Sequence, residues 1–453
     1  MGNSIEDESI SLKGKPMEPW LATVLLFGFL IGGIALGLPI AFVLGGIAVL
    51  FTALLWGPGG FLMIALTAYD KGTDFVLVAL PLFILMGNFL EVSGIADEMY
   101  GMMQRWIGRI PGGLASGTVI ICAIFAAMAG ISGAATVSMG LIAVPSMLRR
   151  RYDKRLVLGT VAAGGALGML IPPSIIAILY ASLAGTSVSQ LFAACMIPGI
   201  TLAIMFIVYL TIRCKIQPSI GPPTEERSTF REKLTSLKAV VFPFILIFLV
   251  LGTIYLGVAT PTEAAGVGAM GSVIACAFNR KLTWKNVRTA VDRTFRITAM
   301  CMWIVFGAIA FSRAYSVAGA SDFITDLIVG TGLPPLGIIW MMMAIFFILG
   351  MFIESAGILM ITIPIFLPIV HTLGYDPIWF GVLYMINTEM GLISPPFGIT
   401  LFWLKGVVTA DITMGDIYHS VWPFVVVQAL CLTLFMYFPG IAMWLPSLLA
   451  SMR

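Results

Sequence analysis

Charge is scarce in this sequence. Asp, Glu, Lys and Arg make up 10% of 453 residues while 59% are hydrophobic, against about 25% charged in water-soluble domains. That excludes a soluble globular protein. Histidine is scarcer still: His371 and His419 are the only two and lie far apart, which argues against a histidine-based metal centre. The six cysteines (Cys122, Cys195, Cys214, Cys276, Cys301 and Cys431) are scattered, mostly within apolar runs, and no two have Cys-x-x-Cys spacing. They read as packing residues, with neither a disulfide framework nor a thiolate metal site expected. No cationic region precedes the first apolar run, so no cleavable signal peptide is expected. The net charge of +3 says little about partners, since placement matters more than the sum, and no nucleic-acid partner is expected.

Apolar runs near the ~20 residues needed to cross a bilayer recur from Leu21 to Phe438. A second pattern overlies them. The stretch from Gly112 to Tyr180 returns 223 residues later (335 − 112 = 223), from Pro335 to Trp403. Ser132 falls on Ser355, Pro145 on Pro368, Tyr152 on Tyr375, Asp153 on Asp376, Gly168 on Gly391, and Pro172-Pro173 on Pro395-Pro396. Each copy is an apolar run, a small polar tip, a second apolar run, a Tyr-Asp turn and an apolar segment broken by Gly-x-x-x-Pro-Pro. Two copies of a broken-helix unit suit a two-halved membrane transporter.

In chain order, a polar segment (1–20) precedes the first repeat (21–212), with spans at 21–36, 39–56, near 75–92 and at 190–212. An arm at 97–110 lies along the membrane surface, and Asp70, Lys71 and Asp74 sit in a short amphipathic piece. The stretch 112–148 holds 37 residues (148 − 112 + 1) with the tip in its middle, short for two crossings of ~20 residues plus a turn. Its flanks are basic on both sides, which suits a re-entrant hairpin. An interrupted helix spans 156–183. A polar cytoplasmic linker (213–238) leads to the second repeat (239–438), with spans at 239–258, 261–278, near 297–313 and 420–438. Its hairpin covers about 336–370 and its interrupted helix 379–404. The tail, 439–453, is amphipathic. The fold class is an all-α polytopic membrane protein built as an inverted repeat, with two re-entrant hairpins and two interrupted helices.

The positive-inside rule orients it. With loops assigned alternately, one side keeps only Lys13, Lys15, Lys71, Arg313 and Arg453 of the 25 basic residues. The other side is therefore cytoplasmic, the first hairpin opens from it, the second opens from outside, and both termini are periplasmic.

Backbone at bilayer depth must be hydrogen-bonded internally or line a cavity. Two tips and two Gly-x-x-x-Pro-Pro breaks place four irregular segments near the midplane. Proline after a break removes a donor and stops the helix, so carbonyls at 168–172 and 391–395 are free to face a cation. The expected cation ligands in the first copy are Ser132, Gly133, Thr136, Gly168, Ile171, Pro172 and Ser174. In the second they are Glu354, Ser355, Gly391, Ile393, Ser394 and Pro395. Sodium suits such a set, taking several oxygens without a strong demand for charge. Half-helices starting at the tips turn their N-termini inward and favour an anion. Its expected contacts are Ser132, Gly133, Ala134, Pro173 and Ser174, with Ser355, Ala356, Gly357 and Pro396. Glu263, Glu354 and Glu389 lie in apolar surroundings, costly unless paired or wet. Glu263, beside Pro261, suits helix capping; Glu354 and Glu389 suit either ion coupling or a structural pair with Lys405 or Arg313. The 27 methionines read as adaptable packing.

The segments Ala129-Gly-Ile-Ser-Gly-Ala134, Leu170-Ile-Pro-Pro-Ser174, Ala259-Thr-Pro-Thr-Glu-Ala-Ala265 and Gly391-Leu-Ile-Ser-Pro-Pro-Phe-Gly398 resemble the large membrane subunit of tripartite ATP-independent periplasmic (TRAP) transporters. The resemblance runs from about residue 20 to the end. It implies an elevator-type, sodium-driven importer of carboxylates in the bacterial inner membrane. The implied partners are a small four-span membrane subunit and a periplasmic substrate-binding protein, and only about 20 polar residues before the first span imply the unfused form. Two positions depart: Glu354 stands where many relatives have Asp, and Glu389 where a small or neutral residue is common. Two rival readings remain, a stand-alone carboxylate/sodium symporter of the same architecture and an intramembrane serine protease, since Gly130-Ile131-Ser132-Gly133 matches Gly-x-Ser-Gly. The protease needs a base within reach of Ser132, and neither histidine is placed to serve.

Overall fold

The computed structural model describes residues 17–130, 132–224 and 228–451. Most of the polar N-terminal segment, Ile131 of the first tip, part of the 213–238 linker and the last two residues lie outside that set. Among the described residues the chain is helical throughout. The opening helices are α1 (Pro19–Ala35), α2 (Ile40–Trp56), α3 (Gly60–Gly72), α4 (Ala79–Val92) and α5 (Ile95–Ile107). The first hairpin is α6 (Gly113–Ala129) and α7 (Ser132–Arg149). The first interrupted helix is α8 (Lys154–Ala166), a 3-10 turn (Leu167–Met169) and α9 (Ile175–Ala184), followed by α10 (Val188–Ile216). Then come α11 (Phe230–Ser236), α12 (Lys238–Ile247), α13 (Thr253–Tyr255), α14 (Pro261–Phe278), α15 (Trp284–Val317) and α16 (Ala320–Val329). The second hairpin is α17 (Pro335–Phe352) and α18 (Ser355–Thr372), the second interrupted helix α19 (Pro377–Leu392) and α20 (Ile399–Val407). Helices α21 (Met414–Tyr437) and α22 (Pro439–Ser451) close the chain.

The repeat is kept residue for residue at the hairpins: α7 and α18 start 223 residues apart (355 − 132) and end 223 apart (372 − 149). The Tyr-Asp turn gains a physical reason. Asp153 caps α8 by accepting from the Arg155 and Leu156 amides, and Asp376 caps α19 by accepting from Ile378, which satisfies otherwise orphaned donors. One residue before each Tyr the backbone turns left-handed, at Arg151 (φ 62) and Gly374 (φ 76).

The chain divides into two compact units that both draw on each repeat. Among the described residues, one comprises 17–74, 299–338 and 359–373, the other those of 75–298, 339–358 and 374–451. In the first, α1 packs on α2 and α16, and Phe27 meets Tyr315 edge-on at 6.0 Å. In the second, α8 and α19 are the centre, buried along nearly their whole lengths. α8 lies along α21 of the other half, and its counterpart α19 packs on both α10 of the other half and α21 of its own, so each central helix reaches across the repeat. The run Thr160–Ala166 of α8 is nearly all Ala and Gly, and small residues let neighbouring helices approach closely. Outside that centre, α10 exposes Ile200, Ile204, Val208, Ile212 and Ile216, one per turn, a stripe suited to lipid.

The structure changes the detail of three readings. Residues 280–296, which join the expected spans at 261–278 and 297–313, are not a free linker: helix α15 begins at Trp284 and carries Lys285, Arg288, Arg293 and Arg296 within it. The span at 239–258 is kept, within the candidate crossing Phe230–Tyr255, but it is built from α12, a π-turn at Phe248–Gly252 and α13. The 213–238 linker is not simply a spacer. Gly112 donates to Gly221 (2.8 Å), Asp153 to Ile220 (2.8 Å) and Thr224 to Gly108 (2.7 Å), stitching it across the base of the first hairpin.

Seven stretches are long and apolar enough to cross a membrane among the described residues, running from Phe75–Val92 to Met414–Tyr437 and including both α17 and α18. Helices α1 and α2, at 17 residues each, fall just short of that length. The protein is an all-α polytopic membrane protein.

Candidate functional site

The four irregular segments all belong to the second unit, and they converge. Helix α6 ends at Gly130, whose φ of 65° closes the helix with its N–H on Ala126. A side chain is excluded there, since a Cβ would come within 2.6 Å of the Pro173 carbonyl oxygen. The Gly130 carbonyl in turn accepts the Ile175 amide (3.4 Å), joining the first tip to the first break. Ser174 caps α9, its hydroxyl accepting from Ala177 (3.4 Å). Thr136 donates to the Ser132 carbonyl (3.0 Å) and lies against Gly165 of α8, where a Cβ would collide with its hydroxyl.

The second tip is bound into the same junction. Ser355 donates to the Met169 sulfur (3.1 Å) in the first break, and its carbonyl accepts the Tyr384 hydroxyl (2.6 Å). Gly398 (φ 47°) donates to Met351 (3.0 Å), and a Cβ on Gly391 would lie 2.7 Å from the Gly350 Cα. The glycine at 391 is therefore required by close packing with α17, and α19 runs regularly past it to Leu392. The Gly391 carbonyl accepts the Ile393 and Ser394 amides. Pro172-Pro173 and Pro395-Pro396 are both cis.

The hydroxyls retain cation-binding capacity. Thr136 and Ser394 each donate their proton to a backbone carbonyl, which leaves oxygen lone pairs for a ligand. No group of three or more His, Cys, Asp or Glu gathers among the described residues, so a cation at this junction would be held by hydroxyl and carbonyl oxygens.

The expected site residues fall into distinct environments. Ser132, Thr136, Gly168, Ile171, Pro172, Pro173, Ser174, Ser355, Ala356, Gly357, Ile393 and Ser394 are buried in the junction. Gly133 and Ala134 instead line a cavity of about 370 Å³ with Asn88, Glu91, Val137, Arg293, Ile297 and Trp403. Pro396 is exposed and its carbonyl accepts the Tyr418 hydroxyl; Pro395 is half-buried.

Glu263 closes a capping box, its carboxylate accepting from the Thr260 amide (2.8 Å) and hydroxyl (2.9 Å). Glu354 immediately precedes α18, and its backbone carbonyl accepts the Ile358 amide (3.1 Å). Glu389 is different. Its carboxyl is fully buried and faces the carboxamide of Gln428, yet the two groups miss good hydrogen-bond geometry and neither has another partner among the described residues. The suggested pairing of Glu389 with Lys405 is not made: neither Glu389 oxygen has a partner of good geometry, and Lys405 donates to the Ile412 carbonyl (2.6 Å).

Sequence reasoning missed Asn88, Glu91, Arg293 and Trp403. The first two were discoverable as polar residues in an apolar span, by the rule applied to Glu389. Trp403 is the counterpart of Tyr180 (403 − 180 = 223) and its ring lies over Gly133, within 3.2 Å of where a Cβ would stand.

Residues 27–441 match the family described as tripartite ATP-independent periplasmic transporter, DctM component. The chain belongs to that family. It is 33% identical to the C4-dicarboxylate TRAP transporter large permease protein DctM of Vibrio cholerae, over 95% of this chain and 98% of that one. It is 29% identical to the 2,3-diketo-L-gulonate TRAP transporter large permease protein YiaN of Escherichia coli, over 93% and 98%. Against the isethionate TRAP transporter permease protein DctMQ of Oleidesulfovibrio alaskensis it is 30% identical, covering 92% of this chain but 65% of that one. The crystal structure of the Alcanivorax borkumensis YdaH transporter shares its fold, with a TM-score of 0.67 at 14% identity over 92% of this chain and 98% of that one. These relatives are named as permeases and transporters, so this TRAP large permease is a transport protein and not an enzyme. The serine-protease reading of Gly130–Gly133 is set aside.

Proposed function

We propose that this TRAP permease imports a small organic anion across the bacterial inner membrane by sodium-coupled secondary transport. A periplasmic substrate-binding protein delivers the anion, and a separate small four-span membrane subunit completes the complex, with both termini of this chain periplasmic. Two hairpin tips and two helix breaks converging at one buried junction carry the reading, with the cavity at Gly133 and Ala134 beside them. Helix N-termini there favour the anion, and hydroxyl and carbonyl oxygens suit sodium, whose co-transport offsets the negative charge. Three of the relatives are named for C4-dicarboxylates, 2,3-diketo-L-gulonate and isethionate, all organic anions, and another for ectoine, a zwitterion that also carries a carboxylate.

Alternating access follows an elevator scheme, in which the two tips and two breaks travel together and carry the site across. In such a scheme the first hairpin gates the cytoplasmic side and the second the periplasmic side. Proteoliposomes test this. Uptake is expected only with the small subunit, the binding protein and an inward sodium gradient. Equal uptake by this chain alone would favour the stand-alone symporter, and uptake indifferent to sodium would refute the coupling.

A further inference from the structure

The buried junction offers hydroxyls and amides to an anion but no cation. One guanidinium lines the adjoining cavity, that of Arg293, with its Nη1 on Glu91 Oε1 at 2.7 Å. Two rungs link α4 and α15 here. The inner rung, Asn88 Nδ2 to Thr294 Oγ1 at 3.0 Å, is buried. Beside it Phe89, Cys276 and Ala290 form an apolar core with Leu85, Val92, Val273 and Val287 around them. The outer rung is wet: the Arg293 side chain is 48% exposed. Helix packing therefore does not depend on the outer ion pair, and exposed pairs of this kind contribute little to stability. A guanidinium carries five donors in a planar fork matched to a carboxylate, and the contact to Glu91 is made by Nη1 alone.

We propose that Arg293 receives the anionic group of the substrate on the cytoplasmic side of the cavity, and that Glu91 is the carboxylate which the substrate displaces and which later displaces it. This rests on the anion-transport reading above. An anion leaving the hairpin tip at Gly133 and Ala134 enters a cavity whose one cationic wall group already holds an exchangeable partner. Glu91 recloses on Arg293 once the anion departs, so the cavity does not retain its product. Arg293 lies in the basic opening turns of α15, and that excess of positive charge puts this exchange on the inner face.

The test measures counterflow in proteoliposomes of the assembled transporter, with radiolabelled succinate, 2,3-diketo-L-gulonate or isethionate, whichever the wild type carries. The readout is the half-saturation constant for substrate on the cytoplasmic side. Arg293→Gln is expected to raise it about tenfold with the periplasmic KM unchanged, and Arg293→Lys to raise it less. Glu91→Gln is expected to lower it at least threefold, because the guanidinium is then unoccupied. A structural brace predicts something else: both neutral variants impaired alike, and function restored by the reversed pair Glu91→Arg with Arg293→Glu. Shifts in the same direction, rescue by reversal, or an unchanged cytoplasmic constant in Arg293→Lys and Arg293→Gln would each overturn the proposal while leaving wild-type transport intact. Failure of the wild type to carry any of the three anions would remove the transport reading itself, and this exchange with it.

Discussion

At the scale of single residues, the tips and breaks read from the sequence meet in the structure, but not always for the reasons expected. Gly391 was flagged as the start of an unwound segment, yet its backbone is helical and its missing side chain admits Gly350 of α17. Periodicity cannot distinguish a glycine needed for closeness from one needed for conformation. Gly391→Val is expected to destabilise by about 1–3 kcal/mol through overpacking and to abolish uptake while the protein still inserts; normal uptake at normal expression would show that the contact gives way. Glu389 stands out as costly in the sequence, and the structure sharpens the point, since its buried carboxyl has only the poorly aligned Gln428 amide opposite it. Replacing such a group by an apolar one of similar length is expected to stabilise by about 1 kcal/mol or more. Glu389→Met should therefore melt at a higher temperature in detergent. A lower melting temperature would mean that an ion or water satisfies the carboxyl in the working protein.

At the scale of elements, the helices were largely readable because their physics is local. Apolar length, proline breaks and caps place most of them within a few residues. The exceptions have non-local causes. The basic run 280–296 looked like a loop, but it is the exposed beginning of α15, and charge density alone does not separate a solvated helix from a linker. The π-turn at Phe248–Gly252 leaves no compositional trace at all. The matched Tyr-Asp turns, by contrast, were visible as repeats before their role as caps was known. Asp153→Ala and Asp376→Ala should each cost about 1 kcal/mol, read as a lower melting temperature with sodium dependence unchanged. A cost confined to one of them would show that the two turns, alike in sequence, do not carry alike.

At the scale of the whole molecule, the repeat was legible from 223-residue spacing, and the contacts across it of α8 with α21 and α19 with α10 are its physical expression. What no spacing could show is which segments of each repeat group into a compact unit, because that depends on tertiary packing. The inverted topology remains directly testable. Arg151 and Gly374 are counterparts with the same left-handed turn (374 − 151 = 223), and nothing crowds Gly374, so a cysteine fits there at about 1–2 kcal/mol for the backbone. Arg151→Cys should label from the cytoplasm and Gly374→Cys from the periplasm; labelling of both from one face would contradict the inversion. The central claim, that tips and breaks from both repeats together hold sodium beside the anion, is tested most directly by titrating uptake with sodium in proteoliposomes of wild type, Ser132→Ala and Ser355→Ala. Each substitution is expected to raise the sodium concentration for half-maximal uptake about fivefold, the worth of one ~1 kcal/mol polar contact, with melting temperature little changed. Superimposable sodium curves for all three proteins would contradict it.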